Sequence, residues 1–118
     1  MAVLKPFDAL ALWRDVVVEQ VASDNPDLTQ RQMAILLVVY MRPPPHTVRG
    51  LAAQMSISKP AVTRALDALS RLGYVKRKRD EQDRRNVLVQ RTVKGSVFVS
   101  DFGEAIARLS AKVPESAG

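Results

Sequence analysis

The chain contains no cysteine. Disulfides, thiol catalysis, cysteine-based zinc sites and thiol redox sensing are thereby excluded, and the usage suits a reducing cytoplasm. One histidine in 118 residues leaves most other metal centres short of ligands, so we expect neither a metal nor a cofactor. Glycine is scarce as well, and none of the five forms a phosphate-cradling loop after a strand. Paired carboxylates in an apolar pattern are missing, as is a serine or threonine with a base nearby, which argues against an enzyme. No apolar run approaches the roughly 20 residues that cross a bilayer. The opening MAVLKPFDALALW lacks the cationic start and small-residue cleavage site of a secretory signal. A soluble, cytoplasmic protein with no membrane partner is the expectation.

What is present is positive charge, unevenly placed. The net charge is +6, and residues 59–94 hold eleven Lys or Arg against four Asp or Glu, so this third of the chain carries +7 and the rest −1. A segment of that sign seeks an anionic partner, although a merely solvated basic surface has the same composition. At 118 residues the chain fits one domain, with a core at 28–95 and flanking helices at 8–22 and 95–112.

Periodicity supplies the elements. Residues 8–22 start at a capping Asp8, and Leu10, Trp13, Val17 and Val21 recur at helical spacing while Leu12, Val16 and Val18 widen the apolar surface. A second helix starts at Thr29, with Gln32 completing a capping box, and is apolar almost all round to Met41, which means burial at the centre. RPPPHT, residues 42–47, is a stiff connector in which His46 is an ordinary loop residue. Thr47 caps a short helix with Val48, Leu51, Ala52 and Met55 inward. Ser56, Ile57 and Ser58 form a tight turn with Ile57 as a buried pin. Ser58 then caps a helix whose inner face is Val62, Ala65, Leu66, Leu69 and Leu72, and Gly73 ends it. Beyond Gly73 the period becomes strand-like. YVKRKR and NVLVQRTV flank the turn DEQDRR, with Val87, Val89 and Val93 on one face, as in a β-hairpin spanning 74–93. Lys94 and Gly95 close it. A last helix carries Phe98, Phe102, Ile106 and Leu109, before an unstructured tail, PESAG.

Two helices joined by a three-residue turn and followed by a basic hairpin describe a mostly α-helical winged helix-turn-helix with a small β-hairpin wing. An ordinary helical hairpin would share the first part of that pattern. The outward residues of the second helix, Ser58, Lys59, Ala61, Thr63 and Arg64, cluster at the N-terminal end from which a helix in the major groove reads bases. Arg64 is the first choice for base readout, since arginine can grip a guanine edge with two hydrogen bonds. Arg71 either contacts phosphate or pairs with Asp67 four residues before it. In the hairpin, Lys76, Arg77, Lys78 and Arg79 can lie along phosphates, while Arg84 or Arg85 enters the minor groove, its orientation fixed by Asp83.

The run from Val48 to Gly95, with LTQRQMAILLVVY before it, resembles the DNA-binding core of the multiple-antibiotic-resistance regulator (MarR) family of bacterial transcription factors. The resemblance covers about residues 28–110 and is most specific in DEQDRRNVLVQRTVKG, which is similar to the family's wing with its Asp-Arg-Arg element and valine-rich return strand. It implies a sequence-specific regulator of double-stranded DNA acting at the bacterial nucleoid, with residues 58–72 in the major groove and 74–93 in the minor groove. It also implies a homodimer formed by the terminal helices and a small-molecule effector, phenolic or lipophilic. The dimerisation candidates are Leu10, Trp13, Val16, Val17, Phe98, Phe102 and Ile106, with core packing as their alternative role. Members carry a further C-terminal helix, whereas the apolar stripe here stops near Leu109 and a proline follows at 114. A winged helix that docks an acidic protein, or competes with a longer relative for dimerisation, is the alternative from another class.

Overall fold

The computed structural model describes residues 4–114; residues 115–118, which belong to the expected unstructured tail, lie outside the described residues. The elements are α1 (Pro6–Ala22), α2 (Gln30–Met41), α3 (Val48–Met55), α4 (Lys59–Arg71), β1 (Val75–Arg79), β2 (Val87–Arg91) and α5 (Val93–Ser110). Helices two to four with the antiparallel β1–β2 hairpin make a winged helix-turn-helix. The backbone divides into two compact units, Leu28–Val99 on one side and Met1–Asp27 with Ser100–Gly118 on the other.

In the first unit the local signals set the helix starts. Thr29 Oγ1 accepts from the Gln32 amide at 3.1 Å, and Gln32 Oε1 accepts from the Thr29 amide at 3.0 Å, so the capping box is complete. Ile35, Leu36 and Val39 of α2 are sealed from solvent, and α4 packs across α2 and α3 to bury Val62, Leu66 and Leu69. Each such side chain stabilises the fold by about 1.5–3 kcal/mol. Val75 and Val89 close the core from the hairpin side. Phe98 belongs to this core, stacked on Tyr74 with ring centroids 4.5 Å apart. Its assignment to a dimer interface is therefore corrected: Phe98 fills the core of its own unit, where the Tyr74 ring covers it.

The proline connector lies along the free edge of β2. Thr47 bridges to Leu88, and the His46 carbonyl accepts from the Val89 amide at 2.8 Å. A run of prolines suits an edge, where missing donors break no ladder. His46 sits in the loop as expected, yet it is 94 % buried in the sense that only 6 % of its surface is exposed, with Nε2 3.0 Å from the Arg42 carbonyl. Arg91 donates to the Val39 and Arg42 carbonyls at 2.8 and 3.1 Å, satisfying acceptors that the end of α2 leaves open.

A polar junction bolts the hairpin to the helices. The Tyr40 hydroxyl donates to the Tyr74 carbonyl at 2.7 Å and accepts from the Thr92 amide at 2.9 Å. Thr92 Oγ1 donates to the Gly73 carbonyl at 2.6 Å and accepts from the Gly95 amide at 2.9 Å. Thr92 thus acts as the cap of α5, which begins at Val93. This corrects the expected boundary. Val93 is not a core-facing strand residue but an exposed first helical residue, and Lys94 and Gly95 lie inside the helix rather than closing the hairpin.

In the second unit α1 starts two residues earlier than expected, with Pro6 in its first turn and no side-chain cap at Lys5. Asp8 is not the cap; it stands in the first turn, where a carboxylate complements the helix dipole. Val16, Phe102, Ala105 and Leu109 are the buried apolar residues of this unit among the described residues, and Arg108 Nη2 donates to both Glu19 carboxylate oxygens at 2.8 Å. Val16 and Phe102 are thus buried within a single chain, which corrects their place among the dimerisation candidates. Leu10, Trp13 and Val17 remain exposed, together with Phe7, Val18 and Val21, while Ile106 is half-buried.

Gly95 has no room for a side chain: a Cβ there would collide with the Tyr40 hydroxyl and the Tyr74 carbonyl. Gly95→Ala should therefore lower stability by about 1–3 kcal/mol or more despite alanine's better helix propensity. Thermal unfolding checks this, and an unchanged or raised melting temperature would contradict the close packing of the junction.

Candidate nucleic-acid interface

The two helices of the motif are positioned by local chemistry. Thr47 Oγ1 accepts from the Gly50 amide at 2.9 Å to start α3. Ser56 ends α3 in the left-handed region, φ 54°, and the Ile57 amide returns to the Ala52 carbonyl at 3.1 Å, which closes the turn. Ile57 packs partly buried on the core, and Ser58 Oγ accepts from the Ala61 amide at 3.2 Å to start α4. Pro60 falls in the first turn, where amides have no helical partner.

On α4 the buried and exposed faces separate cleanly. Lys59, Thr63, Arg64 and Arg71 are exposed, and Ser58 is exposed with its hydroxyl proton still available beyond the cap. Ala61 is corrected: it is only 6 % exposed and stands in the wall of a groove between α4 and the start of α2 rather than on the outward face. Arg64 lies along a groove of about 590 Å³ shared with Thr29, Gln30, Arg31 and Gln32 at the start of α2. Arg31 thereby adds a cation beside Arg64 that sequence spacing, 33 residues apart, gave no reason to pair with it.

The expected pairing of Asp67 with Arg71 does not form. Asp67 instead meets Arg77 of β1 at 2.8 Å. The pleat of the hairpin explains why. Side chains alternate along a strand, so Val75, Arg77 and Arg79 share the face turned toward α4 and the core, and Lys76 and Lys78 share the other. The four cations are therefore not one row. Arg77 is held by Asp67, and Arg79 donates to the Arg84 carbonyl at 2.8 Å, bracing the tip from below. Lys76 and Lys78 stand exposed on the opposite face beside Gln90 and Leu88.

The tip is built around its acids. The Gln82 amide donates to Asp80 at 3.0 Å, and the Asn86 amide donates to the Asp83 carbonyl at 2.9 Å. The Asp83 carboxylate accepts from the Arg85 amide at 3.1 Å and from Arg85 Nε and Nη2 at 3.0 and 3.2 Å. These side-chain bonds, then the backbone bond, then the charge of Arg49 hold the Asp83 carboxyl below its ordinary value. Asp83 thus orients Arg85, not Arg84. The Arg84 side chain is exposed and, among the described residues, makes no ion pair. Arg49 is a second residue missed from the sequence: it is exposed on α3, and only the fold brings its charge within reach of the wing tip.

A further cleft of about 280 Å³ lies beside the wing, lined by Pro44, Pro45, His46 and residues Leu88 to Arg91. No helix among the described residues is long and apolar enough to cross a membrane.

A family model described as MarR family matches residues 27–86. No curated protein matches the chain. Among solved structures, a MarR transcriptional regulator from Methanosarcina mazei Go1 is 26 % identical with a TM-score of 0.65, over 90 % of this chain and 78 % of that one. The crystal structure of MarR is 26 % identical with a TM-score of 0.63, over 70 % of this chain and 56 % of that one. This chain therefore matches little more than half of that MarR chain. A transcriptional regulator from Thermotoga maritima shares the fold, with a TM-score of 0.71 at 22 % identity over 89 % of this chain and 71 % of that one.

The depressed Asp83 value has a definite sign. A carboxyl whose folded value lies below its unfolded value keeps the clamp intact above the ordinary carboxylate range and loses it as pH falls through the lowered value. Titration of the Asp83 carboxyl carbon by NMR should give a midpoint below that of an unperturbed aspartate, and Arg85→Ala should return it toward the ordinary value. An Asp83 midpoint unaffected by Arg85→Ala would contradict the clamp.

Proposed function

The chain belongs to the MarR family, and from that premise we propose that it is a sequence-specific, double-stranded DNA-binding transcriptional regulator. The N-terminal half of α4 enters the major groove, where Arg64 reads a base edge and Ser58, Lys59 and Thr63 contact bases or phosphates. The wing tip enters the neighbouring minor groove through Arg84, while Arg85, oriented by Asp83, grips the flanking backbone. Arg71 and Arg49 add phosphate contacts on either side.

The observation that carries this reading is the Arg77–Asp67 ion pair, which ties the wing to the exposed face of α4. It supports one surface for both grooves, because Asp67 falls between Thr63 and Arg64 on the helix, one turn on. Arg64, Arg71 and Arg84, which make no ion pair among the described residues, belong to the segment that holds the whole positive excess. A protein-docking module would not require cations arranged to meet two adjacent grooves.

Regulators of this family are typically dimers. The exposed apolar side chains of α1, Phe7, Leu10, Trp13, Val17, Val18 and Val21, form a surface larger than scattered exposure explains, and a second copy of the chain is the partner proposed for it. Two copies would then meet half-sites about one helical turn apart.

Fluorescence anisotropy with duplexes enriched from a randomised pool tests the proposal. The expected outcome is two chains per site and a log-log salt slope of about −4 to −5 per subunit, corresponding to roughly five phosphates. Replacing Arg84 and Arg85 together by alanine should weaken binding by about 1–3 kcal/mol with the fold intact. Enrichment of no duplex over random sequence, or undiminished affinity in the double variant, would contradict it.

A further inference from the structure

Asp67 is the one acid in α4, and it stands on the helix face that Thr63 and Arg64 share. A carboxylate there faces a polyanion. On Coulombic grounds alone it weakens every complex with DNA, whatever the sequence. Arg71, at i+4, and Arg64, at i−3, are both spaced to neutralise it within the helix. Neither does. Its partner is Arg77, drawn from the wing at 2.8 Å, with the two side chains 46 % and 30 % exposed.

Three consequences follow from that choice of partner. Arg64 and Arg71 are left free for DNA. Arg77, which the pleat points toward α4, is withheld from phosphates. The middle of β1 is fixed to the middle of α4, so the wing leaves the helix at one angle. The pair is too exposed to contribute much to stability. Its effect is geometric: with the wing held, a duplex must present its major-groove bases and its minor groove in a single register.

We propose that Asp67 is a specificity-determining positioning residue, which through Arg77 sets the wing against the recognition helix and suppresses binding to unrelated duplexes. The inference rests on the DNA-binding function proposed above and assigns within it a residue that need not touch DNA. Asp67 acts in two ways at once. It lowers affinity for any phosphate backbone, and it raises the cost of a sequence whose grooves do not fit the fixed spacing.

Asp67→Asn removes the charge at constant size and nearly constant helix propensity, so the fold should survive. The probes are a duplex enriched from a randomised pool by the unsubstituted chain and a random duplex of equal length. In the variant, Arg77 is free to reach a phosphate. Binding to the random duplex should tighten several-fold, and its salt slope should steepen by about 0.9. The preference for the enriched duplex should fall by about fivefold to tenfold, a coupling of the size that contacting residues show. The charge-reversed pair, Asp67→Arg with Arg77→Asp, should recover preference relative to either single reversal, whereas Asp67→Arg with Lys112→Asp, which restores the same net charge but not the pair, should not. A melting curve accompanies each variant. An Asp67→Asn chain that keeps the original preference and slope, or that loses affinity equally for both duplexes, overturns the inference. If the unsubstituted chain binds the pool without enriching any sequence, the regulator reading itself fails and the inference falls with it. Enrichment by the unsubstituted chain combined with an unaltered preference in the variant removes the inference alone.

Discussion

The Tyr40 hydroxyl is the fixed point on which the outward surface depends. It lies at the end of α2 and meets both ends of the wing, donating to the Tyr74 carbonyl before β1 and accepting from the Thr92 amide after β2. Thr92 extends the junction by linking Gly73 to the first turn of α5. A two-stranded hairpin is marginal by itself in water. Here its base is sealed by polar bonds that half-burial protects from competing water, with Val75 and Val89 inserted into the core beneath. The tip can therefore project while its root stays in place.

Charge is distributed over this scaffold according to the pleat rather than the sequence order. The run KRKR looks uniform when written as letters. In three dimensions Arg77 and Arg79 turn inward to hold the wing to α4 and to its own tip, and Lys76 and Lys78 turn outward on the other face. Similarly, of the two adjacent arginines at the tip, Arg85 is committed to Asp83 and Arg84 is not. Part of the positive excess thus shapes the surface, and the remainder is left exposed to meet an anion.

The features that were legible in the sequence are those set within a few residues. The caps at Thr29, Thr47 and Ser58, the turn at Ser56 to Ser58 and the bracing of a tip arginine by Asp83 all act over two to three residues, and each forms, with Arg85 as the arginine that the sequence left open. The helical faces of α3 and α4 were readable for the same reason. Apart from the cap expected at Asp8, which lies inside the first turn of a helix begun by Pro6, what failed needed either a boundary between two periods or a distant partner. Val93 fits the alternation of β2, but Thr92 caps a helix at that point and tertiary bonds decide in favour of the helix. Ala61 lies at the margin of the buried face, where only the approach of α2 decides its exposure. Asp67 had two plausible partners in its own helix and took a third from the wing. Phe98 and Val16 carried the apolar character expected of an interface, and only the fold distinguishes a residue that covers its own core from Trp13, which remains exposed.

The central claim is that α4 and the wing tip form one surface that meets adjoining grooves of the same duplex. Because the chain has no cysteine, a Glu81→Cys variant, exposed in the wing tip and with Arg84 kept, can carry an iron chelate that cleaves DNA at a single defined position. On an enriched duplex, the account predicts cleavage confined to one minor groove, immediately beside the major-groove bases protected by α4. Cleavage spread evenly along the duplex, or centred in a groove remote from those bases, would contradict it.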